Sequence, residues 1–180
     1  PDSLANDGLG GAIVTWIDKK TSSDWDVYAQ KINRYGTSEW TTNGVLICDT
    51  TELKDCAQIV GDMAGGAIIS WHDYRGTSVT SWEIYAQKVN SSGATQWPVE
   101  GSTSGVTISA ASGDQTMPQM STDGSGGAII TWMDSRSGAW DVYAQRIKSD
   151  GNIASGWPVN GAAVSALPPS NQQNPRIVYT

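Results

Sequence analysis

The groups in this 180-residue chain that could act on a substrate are few: one histidine, two cysteines and eighteen acidic residues. Nine of the acids recur at equivalent places, as Asp7, Asp62 and Asp123, as Asp18, Asp73 and Asp134, and as Asp26, Glu83 and Asp141. Repetition of this kind points to folding, because a reacting group is needed once. The second and third sets lie close to Lys20, Arg75 and Arg136, where ion pairs or turn-capping hydrogen bonds account for them. The first set sits in NDGLGG, GDMAGG and TDGSGG, which makes Asp7, Asp62 and Asp123 the candidates for calcium. A dedicated calcium loop offers several carboxylates at alternating positions. Each of these turns has one, so turn chemistry is the stronger reading.

His72 has Ile17 and Met133 as its repeat counterparts, which marks it as a packed or rim side chain and not a base. One histidine and two cysteines make no credible zinc constellation, and a triad could be built only once around that histidine. The expectation is therefore no catalytic residue, no metal and no cofactor. A glycosidase needs two carboxylates at a set separation in a cleft. The non-recurring acids Glu39, Asp49, Glu52, Asp55, Glu100, Asp114 and Asp150 fall in expected connecting loops, and a hydrolase stays as an alternative. GLGG and GSGG precede strands, the wrong setting for a phosphate-binding loop.

The elements that carry these groups are repeated. WDVYAQ stands at 25–30 and again at 140–145, with WEIYAQ at 82–87 between them. GGAIVTWID at 10–18 returns as GGAIISWHD at 65–73 and GGAIITWMD at 126–134. All nine tryptophans fall into three sets: Trp16, Trp71 and Trp132; Trp25, Trp82 and Trp140; Trp40, Trp97 and Trp157. Self-similarity at a fixed period signals a repeat architecture. Its units are 1–57, 58–117 and 118–174, and 175–180 is the entering strand of a further one.

Each unit reads as four short β segments, for example PQMS at 118–121, GGAIITW, WDVYAQRI and GVTIS. The breaks between them are rich in Gly, Asp and Ser, which turns prefer. Both faces of WDVYAQRI carry bulky or apolar groups, as a sheet covered on both sides requires. Four-stranded antiparallel units packed face to face are blades of a β-propeller. The expected fold is all-β, with three propeller-type blades of about 58 residues each, either a partial propeller or half of an oligomeric one.

The pattern DGxGGAI-x-x-W-x-D-x-[RK] followed by [DE]-[VI]-Y-A-Q-[KR] resembles the tandem bacterial propeller repeats related to the TolB-type, WD-repeat-like blade. That resemblance covers nearly the whole chain and implies an interaction platform in an exported or cell-surface bacterial protein, without shared chemistry.

Composition narrows the partners. The formal charge is −7 and the eleven basic residues are scattered, so no cationic surface offers itself to nucleic acid. No apolar run is long enough to insert as a membrane helix. Twenty glycines, nine tryptophans and no phenylalanine fit a secreted all-β protein. A start at PDSLANDG is what a processed form or a fragment would be expected to show.

Three further expectations concern single sites. Cys48 and Cys56 would close a short loop worth about 2–3 kcal/mol if bridged, although a propeller puts them on opposite edges of neighbouring blades. Trp40, Trp97 and Trp157 stand in polar stretches, where an indole could stack on a sugar, though packing is the stronger reading. Pro175 of PRIVYT matches Pro1 of PDSLAND, so Pro175, Arg176, Ile177, Val178 and Tyr179 form an assembly strand that pairs into a neighbour. The leading functional expectation is a non-enzymatic module for protein interaction, adhesion or self-assembly, whose partner is another copy or neighbouring repeats. Surface proteins or glycans are the other partners considered, with a lectin-like module as the alternative.

Overall fold

The computed structural model describes residues 4–75, 81–99, 101–166 and 169–179. Among them the chain is all-β, with three antiparallel four-stranded sheets and no helix. The first sheet holds β1 (Leu4–Asn6), β2 (Ala12–Lys19), β3 (Trp25–Ile32) and β4 (Val45–Cys48). The second holds β5 (Lys54–Gly61), β6 (Ala67–Asp73), β7 (Glu83–Val89) and β8 (Val106–Ser109). The third holds β9 (Gln115–Thr122), β10 (Ala128–Asp134), β11 (Asp141–Ile147) and β12 (Ala162–Ser165). Strands pair in chain order within every sheet, as in a propeller blade.

The repeated residues set this geometry locally. Trp16, Trp71 and Trp132 lie opposite Tyr28, Tyr85 and Tyr143 on the adjacent strand and stack on them, with ring centroids 5.9, 6.5 and 6.4 Å apart. Such cross-strand aromatic pairs fix register. The edge of each indole runs under Gly44, Gly105 or Gly161, which are left-handed at φ 91°, 69° and 85° and where a Cβ would stand 2.4–2.9 Å from the ring. Only glycine satisfies both demands.

The sheets stack face to face in chain order. Ile13, Val27, Ala29 and Ile47 of the first meet Ala67, Ile69 and Trp71 of the second. Ile68, Ile84, Ala86 and Ile108 of the second meet Ala128, Ile130 and Trp132 of the third. Ile68 and Ile69 point to opposite faces because strand side chains alternate, so β6 is buried along its whole length.

One feature of the strands departs from the sequence reading. β5 and β9 begin at Lys54 and Gln115, ahead of the unit starts placed at 58 and 118. Each carries a bulge, at the register shifts Asp55/Gln58 and Thr131/Met133. The bulged residues Cys56 and Met117 take φ 53° and 54°, and Asn174 repeats this at φ 55°. In that register Tyr179 matches Thr122, Gly61 and Asn6, so the last repeat step ends 179 − 6 = 173 residues on, one fewer than the match of Pro175 with Pro1 implies. Pro1 itself, with Glu100 and Thr180, lies outside the described residues.

The inner strands converge on an axis. Leu4–Asn6, Ile59 to Gly61, Met120 to Thr122 and Ile177 to Tyr179 together line a cavity of about 380 Å³. The segment 171–179 thus occupies the place of a fourth inner strand while belonging to none of the three sheets. Its start is tied down as β9 is: the Gln172 N–H donates to the Trp140 carbonyl at 2.6 Å, as the Gln115 N–H does to that of Trp82 at 2.7 Å. Asn171 Oδ1 accepts from the Trp140 N–H at 2.9 Å, as Asp114 Oδ1 does from that of Trp82 at 3.1 Å.

Candidate functional site

The recurring acids serve the fold. Asp7 Oδ1 accepts from the N–H groups of Leu9 and Gly11, Asp62 Oδ1 from those of Ala64 and Gly66, and Asp123 Oδ1 from those of Ser125 and Gly127, all at 2.8 Å. Their second oxygens face Lys31, Lys88 and Arg146 at 3.9, 3.3 and 2.9 Å. Both oxygens of each carboxylate thus face protein donors, as turn capping requires. Asp73 and Asp134 accept from the indole N–H of Trp71 and Trp132 and hold Arg75 and Arg136 at 2.9 and 2.5 Å. Each guanidinium lies over the adjacent tyrosine, Tyr85 or Tyr143, at 3.8 or 3.9 Å from the ring centre.

The first repeat breaks that pattern. Lys20 stands where Arg75 and Arg136 do, and it pairs with Asp26. Asp18 is exposed and Trp16 is half-buried, whereas Asp73, Asp134, Trp71 and Trp132 are fully buried. A cavity of about 630 Å³ opens beside Trp16, Asp18, Tyr28, Gln30, Ser38 and Asn43. This is the face that, in the second and third blades, is covered by the blade before.

The opposite face of the third blade is open in the same way. Val164 is 64% exposed, while its counterparts Ile47 and Ile108 are 0% and 2%. Val142 is half-buried where Val27 and Ile84 are sealed. The third tryptophan set follows suit. Trp40 packs against Gly93 and Trp97 against Gly151, turn glycines of the next blade where a Cβ would meet the indole at 2.9 and 2.7 Å. The Trp40 indole N–H also donates to the Ser91 carbonyl of that blade at 3.1 Å. Trp157 has no next blade and stays half-buried, and the matching turn glycine of the first blade, Gly36, has nothing within 4 Å of the position a Cβ would take. Trp40 and Trp97 are therefore packed, and of the three rings only Trp157 keeps an open flank.

Cys48 and Cys56 are unbridged. Cys48 ends β4 beside Thr50 and Arg75, and Cys56 sits on the bulge of β5 at the axis, its Sγ 3.4 Å from Met117 Sδ. Strand order separates them as outer and inner strands of successive blades. At the bulge the structure brings together groups of β5 and β6: donor atoms of Asp55, Cys56 and His72 all lie within 4.8 Å of one another. Asp55 pairs with His72 across β5 and β6, and His72 Nδ1 accepts from the Met117 N–H at 3.2 Å. Burial holds the imidazole down to about 4, against the pull of Asp55, Asp73 and Asp114, so it is neutral at neutral pH. Burial and then the Asp55 carboxylate push the Cys56 thiol up. No sequence signal was sufficient: alignment of β5 and β6 on GGAI alone sets Cys56 opposite His72, and the bulge between Asp55 and Gln58 is what brings Asp55 there.

Four of the remaining single acids have partners in the protein. Glu39 faces Lys31, Asp49 accepts from Thr103, Asp114 from Trp82 and Asp150 from Lys148. No family model, no curated protein and no solved structure matches this chain.

Proposed function

We propose that this protein is an assembly module, three propeller blades whose open faces dock head to tail on a second copy. The carrying observation is complementarity with its own interior: Trp157 and Val164 are uncovered at one end, and Gly36 and Trp16 at the other. The same contacts are made twice inside the chain, as Trp40 on Gly93 and Trp97 on Gly151. Two copies supply six blades, within the usual range of closed propellers. The seated segment 171–179 supports the same reading, since it offers the next blade an inner strand, and strand addition is a common mode of association. Exported, cell-surface use of such a platform belongs to this proposal, as does its kinship with tandem bacterial propeller repeats.

The test is native mass across a concentration series, for the full chain, for a version ending at Ser170, and for Val164→Asp. The full chain is expected to dimerise or assemble further. Val164→Asp is expected to remain folded by circular dichroism and to lose assembly, because a charge would replace a residue that must be sealed. A full chain that stays monomeric at every concentration sinks the proposal.

A further inference from the structure

The cluster at the bulge of β5 makes local contacts, with Asp55 Oδ1 accepting from the Cys56 N–H at 2.7 Å and His72 Nδ1 from the Met117 N–H, but the repeat does not call for it. Asp55, Cys56 and His72 occur in one repeat only: their counterparts are Thr116, Met117 and Met133 in the third, and Ile17 replaces His72 in the first. Folding therefore does not require an imidazole, a thiol or a carboxylate at these places. The bulge is what lifts Cys56 out of strand alternation and sets it beside its own counterpart, Met117.

We propose that Asp55, Cys56 and His72 form a binding site for a thiophilic d10 cation, Zn2+ or Cu+. Three donors of different softness converge within 4.8 Å, and a thiolate, an imidazole and a carboxylate are the donors zinc takes. Met117 Sδ, 3.4 Å from Cys56 Sγ, adds a thioether, a donor that selects Cu+ over Zn2+. The site is reachable: Asp55 is exposed, Met117 is 47% exposed, and Cys56 and Met117 line a small cavity of about 140 Å³ at this end of the axis. Arg176, the cation on that lining, is drawn aside by its 2.7 Å hydrogen bond to Gln119.

Binding is an exchange without change of oxidation state. The Cys56 S–H bond breaks, its proton leaves to solvent, and a sulfur–metal bond forms. A neutral imidazole has one lone pair. At Nδ1 it now accepts from the Met117 N–H, so coordination there gives up that hydrogen bond.

The experiment is a titration of the reduced full chain with Zn2+ or Cu+ against a chromophoric chelator, with Co2+ as a probe for thiolate charge-transfer absorption. One equivalent is expected to bind. Cys56→Ala should abolish the Co2+ band, and His72→Ile should weaken binding by roughly 10- to 100-fold or more. His72→Ile is the safe variant for folding, since Ile17 already fills that position in the first blade. Met117→Leu separates the cations, lowering affinity for Cu+ and leaving Zn2+ unchanged. Failure to compete with the chelator, or binding that survives both Cys56→Ala and His72→Ile, overturns the site.

Discussion

The second blade and the first carry the same residues on the same face and live in different surroundings. Trp71 is sealed, bonded through its indole N–H to Asp73, with Arg75 closing over Tyr85. Trp16 stacks on Tyr28 just as well, yet it stays half-buried above a cavity, with Lys20 turned to Asp26. Local sequence therefore builds the face, and a neighbouring blade turns it into core. The difference separates what a repeat contributes alone from what only stacking supplies.

The sharpest way to break the comparison is truncation of the two indoles. Trp71→Ala removes a fully buried ring between two blades and is expected to cost about 3–5 kcal/mol in denaturant unfolding. Trp16→Ala in the monomer should cost well under half of that. Equal losses would mean that the first blade's face is covered after all. A second contrast is Asp134→Ala against Asp18→Ala. Asp134 accepts from Trp132 and Arg136 in a sealed setting, so its loss is expected to cost about 2–3 kcal/mol, whereas exposed Asp18 should be close to neutral.

Turn glycines sharpen the point. Gly36 and Gly93 both hold left-handed backbone, at φ 80° and 88°, so alanine strains each by about 1–2 kcal/mol. Only at Gly93 does the new methyl also meet an indole, Trp40 at 2.9 Å, adding about 1–3 kcal/mol of overpacking. Thermal unfolding of Gly36→Ala beside Gly93→Ala measures that surplus. If copies dock through Trp157, Gly36→Ala should weaken assembly while leaving monomer stability near that of the strained glycine alone.

Much of this arrangement was legible. The tryptophan sets, the GGAI strands and the turns around Asp7, Asp62 and Asp123 depend on period-2 alternation and on turn chemistry, which are local. The bulges were not, because Cys56 and Met117 adopt positive φ without the glycine that would announce it. With the bulges hidden, the early starts of β5 and β9 at Lys54 and Gln115 were not legible, and Cys56 was considered only as a partner for Cys48. Asp55, Cys56 and His72 were weighed as a count of ligands along the chain, while their meeting depends on cross-strand register. Packing, the stronger reading for Trp40 and Trp97, has its cause in the next blade, whose turn glycines Gly93 and Gly151 lie against the rings.

The smallest expected effect tests the turns that both ends share. At Asp7 the Leu9 N–H, partly opposed by burial, and the Gly11 N–H hold the carboxyl below its ordinary 3.8. At Asp123 burial opposes ionisation, but the Ser125 N–H, the Arg146 guanidinium and the Gly127 N–H outweigh it and lower the value too. A carboxylate with a depressed folded value stabilises the protein fully above the unfolded value and loses that contribution as pH falls through the folded one. Melting temperature should therefore hold down to about pH 4 and drop below it, with Asp7→Asn and Asp123→Asn each flattening the acid limb. The capping bonds are alike in the two turns, but Arg146 stands 2.9 Å from Asp123 and Lys31 3.9 Å from Asp7, so Asp123→Asn should flatten the acid limb more than Asp7→Asn. Equal effects would mean that the backbone capping bonds alone set the acid limb, and that each turn acts as the independent unit its sequence suggests.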